Sequence, residues 1–161
     1  MQMTATSITL LPANTVVRLD AYWLRHYAGD YLSAARQFSP PSNRFSPVRH
    51  YLLCHSIELS LKSFLFTAGL KRADRKKLSH DLEKALAAAE AHGIGSHVPI
   101  SKGDHEQIVR VNSLYSRKEF EYFESLEMIY DPLPFDPNAI ESFAERLYVG
   151  LEEAVRPSTL N

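Results

Sequence analysis

Residues 47–67 carry two polar stripes, where an ordinary surface helix carries one. The stretch opens at Ser46-Pro47, an N-cap followed by proline at the first helical position, and closes before Gly69. At about 100° per residue, Arg49, Ser56, Ser60, Ser63 and Thr67 fall on one narrow line. Tyr51, His55, Glu58 and Lys62 fall on a second line, roughly opposite. Leu52, Leu59 and Phe66 fill one flank between them, and Leu53, Ile57, Leu61, Phe64 and Leu65 fill the other. A helix lying on a core has one apolar face and one polar face. A helix apolar on two flanks must be covered on both. It is therefore expected to be the most buried element, with at least one polar stripe buried or lining a cleft.

The remaining chain reads as helices joined by short loops. Asn14 or Thr15 is expected to cap a first helix reaching Phe38, with Val16, Leu19, Trp23, Tyr27 and Leu32 at helical spacing on its apolar face. Ser39-Pro40-Pro41-Ser42-Asn43 stops it. Residues 71–77 form a short charged segment. Ser79 is expected to cap a helix through Ala91, ended by Gly93, and Ser101 or Asp104 to cap another ending near Ser116. Residues 117–135 keep no helical period and read as an irregular strap. Asp136-Pro137 opens a C-terminal helix over 136–155. Strand alternation is absent. The expectation is an all-α, up-and-down bundle of four to five helices in a single domain over 1–161.

Composition narrows the function classes. The 161 residues carry a net charge of -1, which argues against a dedicated, strongly basic nucleic-acid binder but leaves room for a local patch. A single cysteine, Cys54, excludes an internal disulfide and, within an apolar run, reads as a buried small residue. Glu58 and Lys62 interrupt the longest apolar run, and the N-terminus lacks the pattern of a signal peptide. A cytoplasmic protein without a membrane span is expected.

Three motifs recur in a recognisable order: His55-Ser56-Ile57-Glu58-Leu59-Ser60-Leu61-Lys62, then His80-Asp81-Leu82, then Asn112-Ser113-Leu114-Tyr115 leading to Phe120-Glu121-Tyr122-Phe123. Together they resemble a HEPN domain, of the higher-eukaryote and prokaryote nucleotide-binding superfamily, over about residues 15–124. The resemblance implies a HEPN-like bundle, often homodimeric. It also implies membership of a group spanning RNase toxins, partners of nucleotidyltransferase-type proteins, and nucleotide- or RNA-binding modules in bacterial stress, defence or toxin–antitoxin settings. The superfamily's RNases carry an Arg-x(4–6)-His pair opening a late helix. After residue 100 only His105 is present, and its nearest preceding arginine is Arg75. Arg49 and His55 have the right separation, but they lie on the earlier helix and point about 120° apart.

The candidate site is the polar cluster Tyr51, His55, Glu58, Lys62, His80 and Asp81. Glu58 and Lys62 form an i,i+4 pair in the favourable order, and His80 is expected to donate to Glu58. Lys71, Arg72, Arg75, Lys76 and Lys77, with Arg117 and Lys118, are candidate phosphate or RNA contacts. Ser79-His80-Asp81 is no catalytic triad, because neighbouring residues diverge. His92, His97 and Asp104-His105 fit no standard metal spacing, so neither a metal nor a cofactor is expected. Phe120, Tyr122, Phe123, Ile129, Phe143, Leu147 and Leu151 suggest surplus apolar surface and hence a homodimer. The functional expectation is a non-catalytic binding or interaction module for nucleotide, RNA or protein. The alternatives are a divergent metal-independent RNase using Arg49, His55 or His80, and a ligand-free oligomeric scaffold.

Overall fold

The computed structural model describes residues 20–38, 45–122 and 133–156. Among these there is no strand. The helices are α1 (Ala21–Gln37), α2 (Pro47–Thr67), α3 (Arg72–Lys77), α4 (Leu82–Ala91), α5 (Lys102–Tyr115), α6 (Pro137–Gly150) and α7 (Glu152–Val155). A single 3-10 turn, Ile94–Ser96, precedes α5. None of the helices is long and apolar enough to cross a membrane.

Most caps follow local chemistry. Ser46 accepts from the Arg49 N–H ahead of Pro47, and Asp136 accepts from the Asn138 N–H ahead of Pro137. Ser101 and Asp104 form a reciprocal capping box, so both candidate caps of α5 act together. Two caps differ from expectation. The first helix starts at Ala21, because the extended Asp20 accepts the Trp23 N–H; Asn14 and Thr15 lie outside the described residues. The cap of α4 is Asp81, whose carboxylate accepts the Lys84 N–H, and not Ser79, which adopts a left-handed φ of 50°. The last helix is also interrupted at Leu151, giving α6 and α7 in place of one run.

Helix α2 is the axis of the molecule and contacts every other helix among the described residues. Its serine stripe is buried against α1. Ser56 Oγ donates to the Ala28 carbonyl at 2.8 Å, and Ser63 Oγ to the Ala21 carbonyl at 2.6 Å. The pairing of 56 with 28 and 63 with 21 makes the two helices antiparallel. Ala21, Ala28 and Ala35 are buried seven residues apart, so small side chains line the contact and let the backbones approach. Trp23 and Tyr27, expected on the apolar face of α1, lie instead on its outer side, and only Leu32 of that set is buried in the described residues.

Helix α1 is also fixed along its length to the C-terminal helices, by Arg25 on the Tyr148 carbonyl and by Arg36 on Glu141. A Cβ on Gly29 would stand 2.6 Å from the Tyr148 ring, so glycine lets α6 approach there. The core takes Phe120, Phe143, Leu147 and Leu151 inside this one chain. That removes four of the seven residues from the argument for a dimer surface. Tyr122 is exposed, and Phe123 and Ile129 lie outside the described residues.

Candidate functional site

Glu58 is 3% exposed, and its carboxylate gathers donors from three elements. Lys62, one turn along α2, places Nζ 2.5 Å from Oε1. Tyr115, in the last turn of α5, donates its hydroxyl to Oε2 at 2.5 Å. His80, in the turn before α4, places Nδ1 3.0 Å from the same Oε2. His55 Nδ1 lies 3.6 Å from Oε2 and 3.0 Å from the Tyr115 oxygen. Lys62 also donates to the Ser79 carbonyl at 2.8 Å, which holds the strained turn that presents His80.

The donor pattern sets the tautomers. Tyr115 has one hydroxyl hydrogen and gives it to Glu58, so His55 Nδ1 must carry the hydrogen that reaches the Tyr115 oxygen. His80 Nδ1 faces a carboxylate and must likewise be the protonated nitrogen. Both rings therefore offer Nε2 as their free nitrogen. Burial raises the Glu58 carboxyl, but hydrogen bonds and charge from His55, Lys62 and Tyr115 outweigh it and hold its pKa at about 2. Burial, reinforced by Glu58, pushes the Tyr115 phenol well above its ordinary value. Cys54 is fully buried, and burial pushes its thiol up as well, so it is no nucleophile.

Ring packing fixes the His55 imidazole. Tyr51 stacks on it at 5.4 Å and 13°, and Tyr31 meets it edge-on at 4.5 Å. Tyr51 thus belongs to the cluster. Asp81 does not. Its carboxylate turns to the α4 N-terminus, to Lys84, and to Asn112 Nδ2 at 3.1 Å. Asn112, one turn before Tyr115, also accepts the Leu82 N–H at 2.8 Å. It clamps α4 to α5 and so sets the distance between His80 and Tyr115. The signal for both was the i,i+3 spacing of Asn112 and Tyr115 on one face of α5.

The other candidates separate from this cluster. Arg49 points to α6, where Nη2 meets Glu141 at 2.6 Å beside Arg36. It does not converge with His55 or His80. Arg75 lies over the Phe66 ring at 4.0 Å and donates to the Leu70 carbonyl, a structural role. Lys77 pairs with Asp74, and Arg117 with Glu119. Lys118 sits 5.8 Å from the Tyr122 ring. Lys71, Arg72 and Lys76 are exposed and have no ion-pair partner among the described residues. His92, His97 and His105 are dispersed, on the Ala88 carbonyl, the Phe64 ring and Glu90 respectively.

Trp23 and Tyr27, expected on the apolar face of α1, lie on the surface, and Tyr31 continues their row. Trp23, Tyr27 and Tyr31 recur every fourth residue on one face of α1. Trp23 is 37% exposed, Tyr27 and Tyr31 are half-buried, and the Trp23 and Tyr27 rings stand 6.2 Å apart. The series ends on His55 and Tyr51. No protein-family model, curated protein or solved structure matches this chain.

Proposed function

We propose that this chain is a non-catalytic, HEPN-like binding module whose ligand is single-stranded RNA. The observation that carries the reading is the ladder of half-exposed rings Trp23, Tyr27 and Tyr31, continued by His55 and Tyr51. Flat partly exposed rings in series stack bases without reading their sequence. The phosphate contacts are Lys71, Arg72 and Lys76. Their helix docks through Arg75 on Phe66 in the last turn of α2, and Ser63, one turn earlier, binds the Ala21 carbonyl at the start of α1. The unpaired cations and the Trp23 end of the ladder thus share one end of the bundle.

Catalysis lacks support for a geometric reason. Metal-independent RNA cleavage needs a base at the 2′-hydroxyl and a cation at the phosphate, converging on one site. Here His55 and His80 are tied to Glu58, and Arg49 is tied to Glu141.

Trp23 is the only tryptophan, so its fluorescence reports directly on stacking. A single-stranded oligonucleotide should quench it and bind with a salt-dependent affinity. Trp23→Ala or Tyr27→Ala, followed by anisotropy of labelled RNA, should each weaken binding by about 1–3 kcal/mol. Changing Lys71, Arg72 and Lys76 together to Glu should flatten the salt slope by about 2. Unchanged Trp23 emission with RNA at low salt would sink the reading. Robust RNA cleavage in EDTA, abolished by His55→Ala or His80→Ala, would replace it with the RNase.

A further inference from the structure

Two imidazoles converge on the Glu58 carboxylate. One ring nitrogen of His55, one of His80 and a Glu58 oxygen all lie within 4.8 Å of one another. From Glu58 Oε2 the two nitrogens stand at 3.6 Å and 3.0 Å. In a tetrahedral zinc site, with ligands at about 2.0–2.1 Å, neighbouring ligand atoms are about 3.3 Å apart. The two distances from the Glu58 oxygen are thus already close to the edges of such a site. We infer that His55, Glu58 and His80 bind one divalent transition-metal ion of the zinc class, through two imidazole Nδ1 atoms and one carboxylate oxygen.

Chemistry supports the choice of ion. Two imidazoles and a carboxylate suit a borderline ion such as zinc, whereas magnesium and calcium prefer oxygen alone. To bind through Nδ1, each imidazole must carry its hydrogen on Nε2, the nitrogen not committed to the cluster. The Tyr115 hydroxyl, 2.5 Å from Oε2 and 3.0 Å from His55 Nδ1, stands beside the fourth position. Tyr51 and Tyr31 brace the His55 ring, and the Ser79 turn braces His80, the kind of outer support that metal ligands need. Entry is from the side of the rings, since the His80 side chain is 32% exposed and Glu58 only 3%.

Lys62 acts on this site in two opposed ways: its ammonium holds the second Glu58 oxygen and repels an incoming cation, while its bond to the Ser79 carbonyl holds the turn that presents His80.

The test is isothermal titration of the EDTA-stripped, desalted full chain with zinc chloride. One ion per chain is expected. His80→Ala, at a partly exposed turn, should fold by circular dichroism and lose more than about 100-fold in affinity, because even an outer-shell partner is worth roughly 10–100-fold. His92→Ala, far from the cluster, should leave it unchanged. No saturable binding by the wild type, or binding undiminished in His80→Ala, would overturn the inference. RNA binding measured in EDTA is independent of both results, so the two readings fail separately.

Discussion

Helix α2 buries a carboxyl and an imidazole, and it treats them in opposite ways. Glu58 keeps its charge by collecting Lys62, Tyr115 and two imidazoles. His50, two turns earlier, is 5% exposed and sits among the Phe45, Phe120 and Phe135 rings, with Nδ1 lacking any hydrogen-bond partner. It gives up its charge. Burial, with the nearby Arg49 cation adding to it, lowers its pKa from an ordinary 6.5 to about 4. A buried group is tolerated when its charge is matched or when its charge is lost. Two positions on one helix use one solution each.

The largest effect is expected at the matched group. Glu58→Ala strands the Lys62 ammonium and removes the acceptor for Tyr115 and His80. It should cost roughly 3–5 kcal/mol in urea unfolding. A loss below about 1 kcal/mol would mean that water already screens the cluster.

The unmatched group should reveal itself by pH. The native His50 resists protonation down to about pH 4, whereas the unfolded chain takes up that proton near 6.5. Its contribution is therefore fully present above about pH 6.5 and is lost as pH falls toward 4, by about 3 kcal/mol. His50→Leu should flatten that limb. In the metal-free protein, Glu58 acts only lower. Its pKa is lowered, so its contribution is present above about pH 4.5 and is lost as pH falls through about 2. The difference between the wild-type and His50→Leu profiles between pH 7 and 4.5 thus reports on His50, and a profile unchanged by His50→Leu would break the contrast.

The smallest effects lie along the serine stripe, where the same contrast recurs in uncharged form. Ser56 and Ser63 are bonded to α1, whereas Ser60 Oγ is buried without a partner. Ser56→Ala or Ser63→Ala should each cost about 1 kcal/mol, and Ser60→Ala should be neutral or stabilising by about 1 kcal/mol. Equal losses at all three positions would show that packing, not hydrogen bonding, sets the stripe.

The sequence by itself determined the helices and much of the Glu58 cluster. Helix ends depend on side chains within three or four residues, so Ser46-Pro47, Ser101 with Asp104, and Asp136-Pro137 could be read directly. The fixed 100° step put His55, Glu58 and Lys62 on one line and forced that line inward, and the His80 contact followed from the need to match a buried charge. Tertiary structure decided the rest. A helical wheel gives a direction but not what lies in that direction. Arg49 could have faced the imidazoles; the position of α6 gave it Glu141 instead. Trp23 and Tyr27 share a helical period with Leu32, yet only the packing of α1 on α2 through Ala21, Ala28 and Ala35 turned those rings outward. Asp81 displaced Ser79 as a cap because the turn had to swing His80 onto Glu58, and Lys62 holds the turn there. Each of these outcomes depends on a partner far away along the chain, which no local pattern specifies.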